Sequence, residues 1–340
     1  MTVNSCLIAS MKRIFEEKGG EALNKARSAM LLSSKYGGNL SPALRHFSKV
    51  TLNNALPVFP ALVSISCEAV GGDAKTAVPF GEAIVLIAGA ADLHDDIIDQ
   101  SLSKGPKKTV FGKFGTGETI LAGDTLLVQG LTLLHEATAT VTKDQGDTIS
   151  RLTAEAIYEL CIAESVEAKL KKIGIDVKPK AYHEVIKLKA VFPELTMKIG
   201  AILGNGDQKS VETLGECGRI FGIITTVADE FSDLLNPDEF TNRLKNECPP
   251  LPLIYALQNP KTKNTLSVLV GADLSNQQTH QSIAETVLNS PEVKKNIKVW
   301  KETVQNELIK IPSIIKRKNR EEIETILLAP LEFLDNISSS

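Results

Sequence analysis

Apolar residues recur with the period of an α-helix along almost the whole chain. Residues 82–98 carry isoleucine and alanine on one broad stripe, and residues 185–203 and 214–231 show the same spacing. No stretch alternates apolar and polar residues for long enough to indicate a β-strand, and no Asn-Gly or Asp-Gly pair separates two β-branched runs. The helical runs end at Gly71-Gly72, Lys104-Gly105-Pro106, Gly204-Asn205-Gly206, Asn236-Pro237 and Pro249-Pro250. The pattern predicts an all-α fold.

Residues 83–91 are apolar on nearly every side, which is typical of a helix at the centre of a large bundle. No solenoid repeat and no low-complexity linker divides the chain. We therefore predict one large helical domain over residues 1–340. Residues 1–50 are expected to form N-terminal helices, and residues 338–340 a disordered tail.

Composition and charge exclude several classes of function. The chain has 38 lysine and arginine residues and 41 aspartate and glutamate residues, a formal net charge of −3. We expect no nucleic-acid partner, because binding to backbone phosphates favours a basic excess. The five cysteines lie far apart and show neither zinc-ligand nor redox spacing, which predicts buried, reduced thiols. Charged residues interrupt every apolar run, so we expect no signal peptide, no membrane span and a cytoplasmic location.

The most informative segment is LHDDIIDQS, residues 93–101. Asp95 and Asp99 have i, i+4 spacing, so on a helix they lie about 40° apart on one face, with Asp96 at its edge. Carboxylates this close repel each other and are costly beside an apolar helix unless a cation neutralises them. Mg²⁺ favours such oxygen ligands and leaves positions open for substrate phosphates. A solvated acidic patch is the alternative, but it does not explain why the acids directly continue an apolar helix.

A second acidic segment, VADEFSDLL at residues 227–235, ends another apolar helix. Asp229 and Asp233 repeat the i, i+4 spacing, with Glu230 beside them. Antiparallel helices in a bundle can bring two such ends to one mouth, where they would bind a cluster of metal ions. An allylic diphosphate could ionise there, because metal ions stabilise the departing pyrophosphate and apolar helices keep water from the carbocation.

These residues resemble the trans-isoprenyl diphosphate synthases, or polyprenyl synthetases. Residues 93–101 are similar to the first aspartate-rich motif of that family, and DEFSD at residues 229–233 is similar to a degenerate second one. Three further segments have the order and spacing of that family's motifs. They are TVFGKFG at 109–115, LAGDTLL at 121–127 and LPLIYAL at 251–257. The resemblance covers residue 57 to the C-terminus. It implies a bundle of more than ten helices around a central cavity, paired as a homodimer or with a related synthase.

The resemblance also implies a role for each acidic candidate. Asp95, Asp96 and Asp99 would bind Mg²⁺ from one side, and Asp229 and Asp233 from the other. Three Mg²⁺ ions would accompany the bound diphosphate of an allylic prenyl substrate. Asp95 and Asp99 would count as catalytic residues because they would bind these ions.

Two lysines would contact that diphosphate. Lys189, which the resemblance also makes catalytic, lies on an apolar helix where its charge needs a partner, and Lys104 follows the first motif. For either residue the alternative is an ordinary solvated side chain. His94 is expected to be a neighbour of the acids and not a ligand, and Pro193 predicts a helix kink just past Lys189.

The chain departs from the family where the second substrate, isopentenyl diphosphate, is bound. In the family's Gly-Lys-Arg-x-Arg-Pro segment, Leu56, Pro57 and Phe59 replace the lysine and both arginines. Ala88 stands where a histidine or glutamine is usual, and Gly105 where another arginine is usual. Each lost charge-assisted hydrogen bond to a phosphate costs about 1.5 to 3 kcal/mol. We expect the allylic half of the site to be kept and the isopentenyl half to be dismantled.

The second acidic motif is altered as well. Glu230 replaces an aspartate, Thr226 a glutamine and Cys248 a lysine. We expect Glu230 to serve as well as aspartate, since Mg²⁺ accepts either carboxylate. Ala90 and Ala91 occupy the positions where the family places the floor of its cavity, so the resemblance implies a substrate or product of twenty carbons or more. Ordinary packing of small residues is the alternative for the two alanines.

Three functional readings follow. The leading one is a Mg²⁺-dependent prenyltransferase-type enzyme of isoprenoid biosynthesis that ionises a long allylic diphosphate, with the identity of its acceptor, isopentenyl diphosphate or another molecule, left open by the sequence. The second is a terpene synthase-like lyase, which needs no second diphosphate site. The third is a non-catalytic subunit of a heteromeric synthase, which the altered second motif favours and the intact DDIID opposes.

Overall fold

The computed structural model describes residues 6–32, 40–272, 276–311, 315 and 317–339. Within these ranges helix follows helix, and the all-α prediction is confirmed. The helices are α1 (Cys6–Leu32), α2 (Ser41–Val50), α3 (Val58–Ala69), α4 (Ala74–Ile98), α5 (Val110–Thr138), α6 (Lys143–Lys171), α7 (Pro179–Lys189), α8 (Val191–Leu203), α9 (Gln208–Leu235), α10 (Pro237–Asn246), α11 (Leu251–Ala256), α12 (Pro260–Val270), α13 (Gln277–Leu288), α14 (Pro291–Lys310) and α15 (Arg317–Ser339). Strands β1 (Ser103–Lys104) and β2 (Lys107–Lys108) form an antiparallel hairpin between α4 and α5. The division into domains stays a prediction.

Helix α4 lies at the centre of the bundle and packs against α1, α3 and α5. Phe80, Ile84 and Leu86 on this helix are all fully buried, so apolar residues meet a neighbour on several sides, as predicted for residues 83–91. Helix α8 packs between α3 and α9. By length and composition α4 could cross a membrane, but 67% of its apolar window is buried inside the protein, as in a core helix.

Polar side chains determine where the long helices begin. Asp73 and Asp207 cap α4 and α9, and each accepts a hydrogen bond from a backbone N–H in the first turn. Thr142 and Gln145 form a capping box at the start of α6. These side chains satisfy donors that have no partner within the helix. Because they fix where α4 and α9 begin, they also help to fix where the acidic C-terminal ends of these helices lie.

The predicted breaks separate the elements. Gly105 has a φ of 59° and lies in the turn of the short hairpin, and Asn205 has a φ of 60° after α8. The helical run is interrupted at Ala190, which separates α7 from α8, so the predicted kink just past Lys189 is confirmed. Pro193 lies in the first turn of α8, where a missing backbone N–H removes no intrahelical bond.

The predicted disordered tail is wrong for residues 338 and 339. Helix α15 continues to Ser339, and only Ser340 of that segment lies outside the described residues. The reason is an apolar stripe on this helix, with Leu327 and Leu334 buried in the main core. Burial of that stripe stabilises the helix through its last turns.

The prediction of buried thiols is also only partly right. Cys67, Cys217 and Cys248 are buried, whereas Cys6 and Cys161 are exposed, and all five are free thiols. Cys161 lies on a face of α6 that the apolar pattern of the sequence did not identify as exposed to solvent.

Helices α3 and α8 pack closely at Gly200, so a substitution at this residue tests their packing. A Cβ atom on Gly200 would overlap with Ser66 Oγ and Val63 O. We expect Gly200→Ala to lower the free energy of unfolding by about 1 to 3 kcal/mol, because the two helices must move apart. Denaturant unfolding measures this change.

Gly20→Ala is the matched control, because no atom lies within 4 Å of the Cβ position at Gly20, which is also helical. Alanine there should leave stability unchanged or raise it by about 0.5 to 1 kcal/mol. Equal effects of the two variants would contradict the packing described.

Candidate active site

The two acidic segments occupy the C-terminal ends of α4 and α9. Asp95 and Asp96 lie in the last turn of α4, and Asp99 is its C-cap. Asp229 and Asp233 lie in the last two turns of α9. The negative end of each helix dipole faces these carboxylates, which is unfavourable by about 0.3 to 1 kcal/mol per charge. Both helix ends therefore need compensating positive charge.

Asp95, Asp99 and Asp229 form no side-chain hydrogen bond and no ion pair with any residue that the structure describes. Asp95 Oδ1 is enclosed and has no hydrogen-bond partner there. Burial raises the pKa of Asp95. Burial, and after it Asp95, raises the pKa of Asp99. Burial, and after it Asp233, raises the pKa of Asp229 to about 6. These carboxyl groups lack a direct ion-pair partner among the described residues, and Lys189, near Asp95 and Asp99, and Arg243, near Asp229, only partly oppose the rise of their pKa values.

Asp96 and Asp233, by contrast, are ion-paired. Lys104 Nζ lies 3.0 Å from Asp96 Oδ1, and Arg243 Nη1 lies 2.8 Å from Asp233 Oδ2. Burial raises the pKa of Asp96 to about 6, although Lys104 opposes this rise. That these two acids bind Mg²⁺, and that Lys104 binds a diphosphate, stay predictions. Before binding, Asp96 and Lys104 would have to break their ion pair with each other, and Asp233 its ion pair with Arg243.

Arg243 of α10 organises a fully buried polar cluster. Its Nη2 donates to Glu230 Oε1 at 2.7 Å and to the Tyr182 hydroxyl at 2.7 Å, and its Nε lies 3.1 Å from Glu247 Oε2. The Tyr182 hydroxyl also donates to Glu230 Oε1 at 2.8 Å, and the backbone N–H of Leu251 donates to Glu230 Oε2 at 2.8 Å. This cluster ties α7, α9, α10 and α11 together.

The expectation that Glu230 serves as a metal ligand is therefore not supported by its contacts. Both of its carboxylate oxygens accept hydrogen bonds from Arg243, Tyr182 and Leu251. Removing one carboxylate from such a cluster would leave a buried charge without a partner, which is strongly unfavourable. Through these contacts Glu230 helps to hold α7, α9, α10 and α11 together.

Lys189 ends α7 between two acids of α6. Its Nζ lies 2.5 Å from Glu167 Oε2 and 3.1 Å from Glu164 Oε1. Burial acts to lower the pKa of Lys189, but Glu167 and Glu164 outweigh it and raise the pKa. The lysine therefore stays charged. It has the counter-charge that the sequence required, although its binding to a diphosphate stays a prediction.

Electrostatic effects connect the end of α4 with the α9–α10 region. Burial is the main cause that raises the pKa of Glu247 to about 7, and Asp95 contributes to the rise. Glu247 in turn helps to raise the pKa of Asp99. Lys104 partly counteracts the burial that raises the pKa of Glu239 on α10. Since such effects decline with distance, the end of α4 lies near α10 and Glu247, and we call the region between them the mouth. That Asp229 shares this mouth stays a prediction.

A largely apolar cavity of about 650 Å³ lies below this mouth, between α4, α5, α6 and α8. We call it the allylic cavity. Asp95, Glu164 and Lys189 lie in its wall, with Ala90 and Ala91 below them. Its wall is completed by Ile87, Asp92, His94, Ile98, Leu127, Ile157, Leu160, Cys161, Ser165, Ala168 and Phe192. The predicted cavity beneath the acids is present, and the two alanines leave it open.

A second, smaller cavity of about 200 Å³ lies on the other side of α4, between α1, α2, α3 and α4. We call it the side pocket. Leu56, Pro57, Phe59 and Ala88 line it, so the residues that replace the family's phosphate-binding groups come together in space. Asp92 lines both the side pocket and the allylic cavity.

The unpaired carboxylates fit divalent cations with oxygen ligands. Among the described residues, no group of three or more His, Cys, Asp or Glu side chains is already arranged around a metal position. The enclosed Asp95 Oδ1 nevertheless has an unsatisfied acceptor, which a bound cation would satisfy. The residues fit ions that arrive together with a diphosphate, whose oxygens complete the ligand set.

Sequence reasoning missed five residues of this region. They are Asp92, Glu164, Glu167, Tyr182 and Arg243. Only Asp92 gave a local signal, because it lies three and four residues before the first two acids of the DDIID motif. The other four lie on α6, α7 and α10 and are brought in by packing alone. His94 Nε2 lies 3.4 Å from Asp124 Oδ1, and that His94 is not a ligand stays a prediction.

Comparison with known proteins gives consistent matches. A family model described as Polyprenyl synthetase matches residues 57–287. The geranylgeranyl diphosphate synthase of Methanosarcina mazei is 27% identical over 191 residues, 55% of this chain and 57% of that protein. The heptaprenyl diphosphate synthase component 2 of Bacillus subtilis is 24% identical over 247 residues, 71% of this chain and 68% of that protein. The chain spans little more than half the length of the first curated relatives it matches.

Solved structures agree in fold. The geranylgeranyl pyrophosphate synthetase of Pyrococcus horikoshii has a TM-score of 0.81 at 22% identity, covering 95% of this chain and 98% of that one. At this identity the likeness shows the fold alone. The family model, however, matches more than half of the chain and includes both acidic segments. The chain belongs to the polyprenyl synthetase family.

Proposed function

We propose that this protein is a Mg²⁺-dependent prenyltransferase-type enzyme that binds and ionises a long allylic diphosphate. The observation that carries the proposal is the enclosed carboxylate of Asp95, which lies in the wall of the largely apolar allylic cavity and has no hydrogen-bond partner on Oδ1 among the described residues, one turn before the likewise unpaired Asp99. Unpaired buried carboxylates are costly for folding, and they are retained where a cation binds. Family membership supports the same chemistry.

Asp95, Asp99 and Asp229 would hold the metal, with Asp96 and Asp233 joining them if Lys104 and Arg243 released them. Bound Mg²⁺ would supply the positive charge that stabilises the departing pyrophosphate. Lys189 lies in the wall of the allylic cavity, where its charge would orient the diphosphate. Ala90, Ala91 and the apolar wall would accept the prenyl chain and exclude water from the cation.

Two further functions have specific support. A terpene synthase-like lyase is favoured by the side pocket, because an enzyme without a second diphosphate substrate needs no cations there. A non-catalytic subunit is favoured by Glu230, whose oxygens are engaged by Arg243, Tyr182 and Leu251. One relative is named as component 2 of a heptaprenyl diphosphate synthase, which is compatible with that alternative.

One incubation separates the three functions. The protein is mixed with Mg²⁺ and farnesyl or geranylgeranyl diphosphate, with and without isopentenyl diphosphate. An elongated diphosphate indicates a synthase, and a hydrocarbon or alcohol formed without the second substrate indicates a lyase. Activity that appears only with a co-purified partner indicates a subunit.

We also propose that the protein pairs through α5 and α6, with a second copy or with a related synthase. Leu121, Val128 and Leu131 on α5 and Tyr158 and Ile162 on α6 are large, exposed apolar side chains. A patch of this kind on a soluble fold indicates an interaction surface. Five free thiols are compatible with a cytoplasmic location, which stays a prediction, as does a single domain over residues 1–340.

The first prediction concerns the metal-binding role of the first motif. Asp95→Asn should lower Mg²⁺-dependent release of pyrophosphate from geranylgeranyl diphosphate by about 10²- to 10³-fold, because stabilisation of the leaving group is lost. A coupled pyrophosphate assay measures the rate. Asp147→Asn, on an exposed part of α6, is the matched control and should retain the full rate. Equal rates for both variants would contradict the proposed site.

The second prediction concerns pH. The pKa values of Asp96 and Asp229 are raised to about 6, so the protonated forms stabilise the folded protein. This stability is complete below the ordinary pKa of aspartate, about 4, and is lost as the pH rises through about 6. Metal ligands must be deprotonated. Mg²⁺ with pyrophosphate should therefore raise the melting temperature more at pH 8 than at pH 5.

Differential scanning fluorimetry measures this shift across the pH range. Asp229→Asn should reduce the difference between pH 5 and pH 8, whereas Asp147→Asn should preserve it. A thermal shift that is independent of pH in the unsubstituted protein would argue against carboxylate ligands.

The third prediction concerns chain length. Phenylalanine in place of both Ala90 and Ala91 should shorten any elongated product or restrict the enzyme to shorter allylic diphosphates, because both residues line the allylic cavity. Liquid chromatography with mass spectrometry of the products measures the change. Ala154→Phe, on an exposed part of α6, is the control. An unchanged product distribution in the double variant would contradict the role of these alanines as the floor of the allylic cavity.

A further inference from the structure

Lysines are concentrated where α6 ends and α7 begins. The chain has a net charge of −3, yet residues 169–189 contain seven lysines and only two acids. Both of these acids are already paired, because Asp176 Oδ1 lies 2.8 Å from Lys263 Nζ and Glu184 Oε1 lies 2.9 Å from Lys187 Nζ. The segment therefore keeps an excess of positive charge in a chain whose net charge is negative.

A cavity of about 560 Å³ lies beside this segment, between the end of α6, the short 3-10 turn Gly174–Asp176, α10 and α12. We call it the basic pocket. Lys171, Lys172 and Lys245 lie in its wall, and none of the three forms an ion pair with a residue that the structure describes. Lysines from two helices that are distant along the chain thus meet at one cavity without a counter-charge.

Two features of the wall oppose the binding of an anion, but neither cancels the three lysines. Glu247 is the only acidic residue among those that line the pocket, and both of its oxygens are engaged. Its Oε1 accepts from Asn242 Nδ2 at 2.9 Å, and its Oε2 lies 3.1 Å from Arg243 Nε. Helices α6 and α10 also end at the pocket, and each dipole places about half a negative charge at its C-terminal end. The pocket stays electropositive.

The rest of the wall is largely apolar. Ile175, Leu244 and Val270 are partly buried there and pack against the main core. The volume lies within the range of about 300 to 1,000 Å³ that is usual for small-molecule sites, which combine apolar walls with a few polar groups. Cations and apolar side chains in one cavity fit a ligand with an anionic head and an apolar tail. A cavity of this size takes in a whole small molecule, whereas a bilayer would reach only its opening.

We infer that the basic pocket binds a small organic phosphate or diphosphate with a short apolar tail, and that it does so without Mg²⁺. Lys171, Lys172 and Lys245 contact the phosphate oxygens, because each ammonium group supplies a full charge and three donors. Ile175 and Val270 contact the tail. This site lies beyond the proposed function, which concerns the metal-binding acids and the allylic cavity.

The basic pocket is a neighbour of the allylic cavity, since Ala168 lies in the wall of both. The two sites differ in what attracts a diphosphate. The carboxylates at the mouth repel it unless divalent cations are present, whereas the lysines of the basic pocket attract it in either case. Removal of divalent cations therefore separates binding at the basic pocket from binding at the acids.

Binding is tested by isothermal titration calorimetry with the full chain in the presence of EDTA. The probes are isopentenyl diphosphate, inorganic pyrophosphate and the uncharged 3-methylbut-3-en-1-ol. We expect saturable binding of isopentenyl diphosphate, binding of pyrophosphate that is weaker by about tenfold because the apolar contact of the tail is lost, and no binding of the alcohol. Absence of isopentenyl diphosphate binding, or binding of the alcohol with equal affinity, would overturn the inference.

A lipid headgroup is the other source of this chemistry, and vesicles distinguish it. The protein is sedimented with vesicles of phosphatidylglycerol and phosphatidylcholine in equal parts, and with vesicles of phosphatidylcholine alone. We expect it to stay in the supernatant with both. Sedimentation with the anionic vesicles, in a protein that does not bind isopentenyl diphosphate, would overturn the inference in favour of a membrane surface.

Lysine variants locate the binding. Combined replacement by Lys171→Gln, Lys172→Gln and Lys245→Gln should weaken isopentenyl diphosphate binding by about 10²-fold or more, because several charge-assisted hydrogen bonds are lost. The matched control removes the same charge at three exposed lysines that form no ion pair among the described residues, by Lys12→Gln, Lys143→Gln and Lys294→Gln. The control should bind as the unsubstituted protein does. Equal affinities of the two triple variants would overturn the inference.

A steric pair on α12 provides an independent test. Val270→Trp should fill the basic pocket and abolish isopentenyl diphosphate binding, whereas Val268→Trp, at a position 74% exposed on the same helix, should retain it. Full binding by Val270→Trp would overturn the inference. Far-ultraviolet circular dichroism checks that this variant folds, and the lysine variants provide the result if it does not.

Pyrophosphate release, measured in parallel with Mg²⁺ and geranylgeranyl diphosphate, tests the proposed function separately. The triple variant of Lys171, Lys172 and Lys245 should retain this release, because the metal-binding acids and the allylic cavity are unchanged. Loss of binding in EDTA together with loss of release would indicate that the lysines act on the allylic site, and would overturn the assignment of a separate pocket. Either test can fail while the other succeeds.

Discussion

An excess of buried negative charge at the ends of α4 and α9 is the constraint on which the rest of the structure depends. The helix dipoles already make these ends negative, yet Asp95, Asp99 and Asp229 lie there without a partner among the described residues. Their raised pKa values reflect the free-energy cost of keeping these carboxylates ionised in the folded protein. Sequences place such locally unfavourable groups at functional sites and stabilise the fold elsewhere. The cavity beneath them, and the family to which the chain belongs, accord with that interpretation.

Three cations form ion pairs with the other acids of the site, and their roles differ by burial. Arg243 is fully enclosed and ties α10 to Glu230 and Tyr182, so it stabilises the frame of the site. Lys104 is nearly half exposed, and Lys189 lies at the wall of the allylic cavity. A more exposed ion pair contributes little stability and exchanges partners readily, whereas breaking a buried one is costly. Lys104 can therefore change partners at a lower cost than Arg243.

Helix α4 gives the site two sides. Ala90 and Ala91 open towards the allylic cavity, whereas Ala88 and Gly89 open towards the side pocket. Small residues on successive helical positions allow both spaces to form beside one helix. Asp92, one turn after Ala88, faces the boundary between them. A single core helix thus carries the acids, the floor of one cavity and the wall of the other.

From the amino-acid sequence we could predict the all-α class, the central place of α4, the acidic helix ends and the loss of cations around Leu56 and Ala88. Those features are encoded locally, in periodicity, in i, i+4 spacing and in residue type. Only the tertiary structure decided which acids are paired, because Glu164, Glu167, Tyr182 and Arg243 come from helices distant along the chain. For that reason the contacts of Glu230 with Arg243, Tyr182 and Leu251 could not be predicted: the identity of a carboxylate is visible in the sequence, but its partner depends on packing.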